Sequence, residues 1–302
     1  MALVTRKIKR QIQSIKNTQK IAKAMELVSA AKMRKAVNAV LATRPYANLA
    51  WQVVFNLASR TNPELHPLLH QRPKIKKIGV ILFSSNRGLC GVFNQQIIRK
   101  TLSYIQKESS SNATIEFITL GKKGATAVAK LNQKISADFE KPDIVSEMTE
   151  IRAVAQLAIQ NYLAGQYDKV VLIYTDFISS LKQETQIKQL LPLKAEPESG
   201  LGQVGPQEKQ AQTNWSYQYL FEPTPNFILK TFLPRLIEIQ VYQAILESNA
   251  SEHSARMVAM KNASEAASDL IADLTLTFNK ARQAGITQEI SEISVSKAAL
   301  EE

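Results

Sequence analysis

The chain has a single cysteine, Cys90, so it cannot form an internal disulfide, which suits a reducing compartment. Histidine is almost as scarce, with only His66, His70 and His253. The first two are four residues apart, but Pro67 interrupts the helical spacing that a zinc pair on one face requires, so no metal is expected. Long apolar runs are missing: none approaches the roughly 18 residues of a membrane-spanning helix. At the N-terminus Ile8, Ile12 and Ile15 alternate with Lys9, Arg10 and Lys16, which excludes the unbroken apolar core of a signal peptide. Glycine is absent from residues 1–58, and Gly285 is the only one in 226–302; Pro45 and Pro234 are the only prolines in those two stretches. Without these breakers each end is predicted to run as one long helix. At about 1.5 Å per residue the two would reach about 80 and 110 Å. Helices of that length exceed an ordinary domain and are expected to pair and project from a compact middle.

Both ends carry the pattern that such pairing needs. Val4, Ile8, Ile12, Ile15, Ala22, Met25 and Ser29 form one stripe near the N-terminus. Near the C-terminus Met257, Met260, Ser264, Ala267, Ile271, Leu274, Phe278, Ala281 and Gly285 alternate steps of three and four, which is a seam for a second helix. Several seam residues are small, so the backbones can approach closely. The net charge of +12 is concentrated at the start of the chain. Residues 1–35 hold ten lysines and arginines against Glu26 alone, a net of +9, which leaves +3 for the other 267 residues. A helix so charged suits an anionic partner: nucleic acid, lipid or an acidic protein surface.

The middle of the chain has a different texture. Lys77–Phe83, Thr114–Leu120 and Asp168–Tyr174 are short apolar runs rich in β-branched residues, as in buried strands. Ile187–Leu193 is a weaker strand, placed near a sheet edge by Pro192. Helical stretches near 93–107, 122–132 and 145–164 separate them, so a mostly parallel α/β layer is predicted. The segment 194–214 is polar, with two prolines and three glycines, and reads as a mobile loop. The expected organisation is a shaft helix over 1–60, an α/β domain over 74–214 and a second shaft helix over 226–302.

Two loops occupy positions where phosphate sites occur. Ser84–Gly91 (SSNRGLCG) follows a strand and precedes a helix, and Gly121–Gly124 (GKKG) does the same. Neither has the glycine spacing of a P-loop or a dinucleotide fingerprint, and no hydroxyl follows the lysines to hold magnesium. No histidine is near Cys90 in sequence to activate it, and a buried structural thiol is its expected role. No acid–base constellation stands out, so neither a catalytic centre nor a cofactor is expected.

At the ends, Ile15–Lys35, Ser254–Ala263 and Phe278–Glu289 are long motifs, and together they resemble those of a known family, the gamma chain of the F-type ATP synthase. Ile15–Lys35 (IKNTQKIAKAMELVSAAKMRK) is similar to its N-terminal helix signature. Ser254–Ala263 (SARMVAMKNA) and Phe278–Glu289 (FNKARQAGITQE) are similar to its C-terminal one. RGLCG at 87–91, LLPL at 190–193 and YLFEP at 219–223 match in family order. The resemblance implies a fold with an antiparallel coiled coil of long N- and C-terminal helices and a central Rossmann-like α/β domain. It also implies a non-catalytic rotor, coupling ion-driven rotation of the c-ring to conformational cycling of the beta catalytic sites. The partners so implied are the alpha and beta subunits, the epsilon subunit and the c-ring. The chain would then be peripheral, on the cytoplasmic face of an energy-transducing membrane, a bacterial plasma membrane or a thylakoid.

Carried over residue by residue, Lys23 and Met25 lie in the shaft segment facing the acidic loop of beta. Arg282, Gln283, Thr287 and Glu289 lie where family members make polar contacts with beta, and Arg256 lies in a motif linked to coupling. Tyr219 and Glu222 match the foot that meets the c-ring. The chain departs from the family where DRGLCGG has become Asn86 through Val92, and at Ser296-Lys297, where family members read glycine-alanine. The dithiol switch of chloroplast members is not expected from a lone Cys90. A basic coiled-coil protein that binds nucleic acid is the alternative reading of the +9 segment. It does not require the two C-terminal motifs, so nucleic acid is not expected as a partner.

Overall fold

A computed structural model describes residues 2–60, 66–109, 113–145, 147–193 and 225–301. The long uninterrupted segments at the ends form helices α1 (Ala2–Arg60) and α5 (Pro225–Glu301), with Pro45 and Pro234 inside them. The chain divides into two compact units, one of residues 1–28 with 256–302 and the other of residues 29–255.

In the first unit the two helix segments pair as the antiparallel coiled coil that their stripes imply. On α5 every seam residue from Met257 to Gly285 is buried or half-buried, and from 261 to 294 all residues off the seam are exposed. Ser264, Ala267, Ala281 and Gly285 keep the packed face thin. On α1, Ile8 and Ala22 are buried and Ile12, Ile15 and Met25 half-buried. Gln19 fills the stripe position between Ile15 and Ala22. The side chain of Val4 lies outside the described residues.

The second unit contains a five-stranded sheet of β1 (Lys77–Phe83), β2 (Thr114–Leu120), β3 (Lys134–Phe139), β4 (Lys169–Phe177) and β5 (Gln183–Leu191), in the order β3-β2-β1-β4-β5. The first four strands are parallel, and β5 pairs antiparallel with β4. Strands β1 and β2 occupy the predicted residues, and β5 is an edge strand that ends before Pro192. Strand β3 (KISADF) is not among the runs predicted above. At the other edge its residues alternate between exposed and half-buried, with Ile135 against one core and, past a bulge in the register, Ala137 and Phe139 against the other, so it lacks a continuous apolar run. Helices α2 (Phe93–Ser109) and α3 (Lys122–Lys130) cover one face of the sheet. There Val80, Leu82, Phe117, Val171 and Ile173 pack against Phe93, Ile97 and Val128. Helix α4 (Thr149–Leu163) covers the opposite face together with the parts of α1 and α5 that belong to this unit. Ile81, Phe83, Ile118, Leu172 and Tyr174 meet Ile151, Val154, Val40, Leu236 and Ile245 in that core. The sheet is therefore wound in both directions from β1, with the reversal between β1 and β4.

Candidate functional site

In a doubly wound sheet, ligands bind beyond the carboxyl ends of the strands where the winding reverses. In this chain that place is filled by the chain itself. At the end of β4 the amide of Phe177 donates to Glu247 Oε2 at 3.1 Å, and Ser251 Oγ donates to the carbonyl of Thr175 at 3.2 Å. Further along α5, Ser254 Oγ donates to the carbonyl of Ser180 at 2.7 Å. On the β3 side Lys141 pairs with Glu252, and Asn249 Nδ2 donates to the carbonyl of Pro142 at 3.1 Å. One polar stretch of α5, 247–254, thus occupies the crevice and bonds to backbone on both sides of it. These residues are not among the candidates read from the sequence. The sequence carries only a faint trace of this, in that ESNASEHS lacks the lysine and arginine of a solvated helix face; in the structure all eight residues are buried.

The two glycine loops close on each other in the same way. Ser84 Oγ donates to the carbonyl of Gly121 at 2.9 Å and accepts from the amide of Gly124 at 2.7 Å. The amide of Lys123 donates to the carbonyl of Ser85 at 3.0 Å. The amides of Lys123 and Gly124 at the start of α3 are therefore bonded to protein. Gly121 has φ +105°, and a Cβ there would stand 2.5 Å from the carbonyl oxygen of Ser84; one at Gly124 would stand 2.6 Å from Ser84 Oγ. These glycines serve the contact between loops. Cys90 lies in the same packing, 2% exposed, with Asn94 Nδ2 3.1 Å from its sulfur, as a buried thiol behind a turn in which Leu89 and Gly91 have positive φ. Among the described residues no cluster of three or more histidine, cysteine or carboxylate side chains is placed to hold a metal.

A buried charged network joins α1 and α5 to β4. Arg44 Nη2 donates to Glu247 Oε1 at 2.7 Å and its Nε to the same oxygen at 3.2 Å. Gln243 Nε2 adds a donor at 2.9 Å, and Thr43 Oγ1 donates to Gln243 Oε1 at 2.7 Å. Glu247 is fully buried and is satisfied by these donors and the Phe177 amide. Asp176, on the adjoining strand, has no such set: its Oδ1 is buried without a hydrogen-bond partner. Burial first, and then the charge of Glu247, push its carboxyl up to about 6. Burial likewise lowers the Lys188 ammonium to about 8, opposed by the charge of Asp176.

The residues carried over from the family lie mostly on the outside of the helix pair. Arg282, Gln283, Thr287 and Glu289 are all exposed, and their seam neighbours Ala281 and Gly285 are covered. The Thr287 hydroxyl donates to the carbonyl of Gln283 at 3.0 Å. Lys23 is exposed and 3.0 Å from Glu26, whereas Met25 is half-buried on the stripe. Arg256 is buried, at 8% exposure, and engaged within the chain. Tyr219 and Glu222, and the loop 194–214, lie outside the described residues. The outer faces are unusually apolar: Ile21, Leu27 and Val28 on α1, and Leu270, Leu276, Ile286, Ile290 and Ile293 on α5, are each at least half exposed. Among the described residues no helix is long and apolar enough to cross a membrane.

Comparison with known proteins matches this arrangement. A family model described as ATP synthase matches residues 4–300. The ATP synthase gamma chain of Herpetosiphon aurantiacus is 41% identical over 302 residues, covering 98% of both chains. That of Stenotrophomonas maltophilia is 40% identical over 98% of this chain and 99% of its own. Among solved structures, a chain of the Euglena gracilis mitochondrial ATP synthase OSCP/F1/c-ring assembly superposes with a TM-score of 0.68 over 99% of this chain and 95% of that one, at 18% identity. A chain of the Tetrahymena thermophila central stalk and c-ring gives 0.57 over 81% of this chain and 99% of that one, at 22% identity. A sequence related over nearly its whole length to gamma chains belongs to the ATP synthase gamma-chain family, the non-catalytic rotor subunit of that complex.

Proposed function

We propose that the paired ends of α1 and α5 turn as a shaft inside a ring of alternating alpha and beta subunits, and that the α/β unit meets the epsilon subunit and the c-ring. The observation that carries this reading is the division of α5 into a covered seam and a bare apolar exterior. A helix pair in water keeps its large apolar side chains on the seam, yet Leu276, Ile286, Ile290 and Ile293 are 50–70% exposed. Exposed apolar surface of this extent fits a surrounding protein sleeve. Exposed Arg282, Gln283, Thr287 and Glu289 supply polar contacts to beta from the same exterior, and Lys23 meets the acidic loop of beta. Met25 and Arg256, being partly or fully covered, act by holding the helix surface around them. Tyr219 and Glu222 are assigned to the c-ring contact by the family match. Rotation driven by ion flow would force the beta sites through their nucleotide affinities. The chain would sit peripherally on the cytoplasmic face of a bacterial plasma membrane or a thylakoid.

The test is reconstitution. Added to alpha and beta subunits lacking this chain, it is expected to restore rotation-coupled ATPase, while the purified chain alone hydrolyses no nucleotide. Turnover by the pure chain that persists through further purification would overturn the reading.

A further inference from the structure

Helices α2 and α3 leave a groove between them that no part of the shaft explains. Its cavity measures about 470 Å³ and is lined by Asn94 and Ile98 of α2, by Lys123, Thr126, Ala127 and Lys130 of α3, and by Leu131. The α3 residues are spaced i, i+3, i+4 and i+7, so they form one complete face of that helix. Its floor is Ile98, Ala127 and Leu131, with a lysine at each end. Neither lysine has an ion-pair partner among the described residues, whereas nearby Lys122 and Lys134 are paired with Glu140 and Glu116.

We infer that this groove is a docking site for an acidic amphipathic helix of a partner protein. Two features select that occupant. The small side chain of Ala127 on the floor allows a helix backbone to approach, and apolar side chains at helical spacing would fill the space above Ile98 and Leu131. Lys123 and Lys130 are seven residues apart on α3, about 10.5 Å along its axis. A helix lying along the groove meets both with two carboxylates two turns apart. Nucleic acid would use the lysines and leave the apolar floor uncovered. The site lies on the sheet face opposite α4 and is independent of the shaft reading, which does not use it.

The test places a photoreactive benzophenone side chain at Ala129, an exposed rim position three residues from Thr126, in the full chain within its assembled complex in native membranes. The crosslinked peptide is sequenced, and Gln96, exposed on α2, serves as the control position. The expected product is a helical segment with two carboxylates seven apart flanking apolar residues. Its yield is expected to exceed the control at least tenfold and to fall at least tenfold when Lys123→Glu and Lys130→Glu are combined. A product without that pattern, a yield equal to the control, or a yield indifferent to charge reversal would each overturn the inference. Both lysines are exposed, so the reversal leaves the fold intact, as an unchanged melting temperature will verify.

Discussion

Asp176 is the group whose replacement should improve this fold at neutral pH. It is 9% exposed, one carboxylate oxygen has no hydrogen-bond partner, and its carboxyl is raised to about 6 by burial and by the charge of Glu247. In the unfolded chain the same group titrates near ~3.9. A pKa raised on folding means the native state binds the proton more tightly, so this contribution to stability is complete below ~4 and is lost as pH rises through about 6. At about 1.4 kcal/mol per unit the loss approaches 3 kcal/mol, and about 2 kcal/mol of it falls between pH ~4.5 and ~7.5. Asp176→Asn keeps the shape and removes the titration. Lys188, lowered only to about 8, remains mostly charged across this window and does not obscure the result. Urea unfolding of the full chain, followed by circular dichroism at several pH values, should show the variant gaining about 2 kcal/mol on the wild type from the acid end to the neutral end. Parallel stability curves for the two proteins would refute the assignment of the raised pKa to Asp176.

Four further outcomes are expected. Arg282→Ala should lower ATPase in the reconstituted complex and leave the melting temperature of the isolated chain unchanged, because Arg282 is exposed; Phe278→Ala, half-buried on the seam, should destabilise the helix pair by about 2 kcal/mol, roughly half the cost for a fully buried ring. If Arg282→Ala melts the chain as severely as Phe278→Ala, the arginine belongs to the fold. Glu247→Gln breaks a buried ion pair with Arg44 and weakens the acceptor of the Phe177 amide, and should cost about 3 kcal/mol in chemical unfolding, far more than the same change at an exposed carboxylate such as Glu289. Cys90→Ser should leave coupling intact, and dithiols should not alter ATPase in the assembled complex; a reversible dithiol effect would contradict the role of a lone structural thiol. Wild-type stability should rise again between pH ~8 and ~10.4 as Lys188, whose pKa is lowered by burial, gives up its proton in the native state first.

The linear sequence determined everything that depends on local period. Ends nearly free of glycine and proline gave α1 and α5, steps of three and four residues picked out the covered face of α5 from Met257 to Gly285, and unbroken apolar runs located β1 and β2. The outward orientation of Arg282 followed from the same period, since it adjoins the seam residue Ala281 without being on the seam. Features that depend on a distant segment were not legible. Strand β3 was hidden because only Ile135, Ala137 and Phe139 of KISADF are even half-buried, and it is defined as a strand by its pairing with β2. The loops at Ser84 and Gly121 resembled phosphate sites because glycine records only that backbone is crowded, and the crowding group proved to be the other loop, 37 residues away. The polar run at 247–254 looked like an unremarkable piece of a long helix. Its glutamates and serines became interpretable once the fold had brought Phe177, Lys141 and Arg44 against them, because a buried polar atom must find its partner wherever the tertiary structure supplies one.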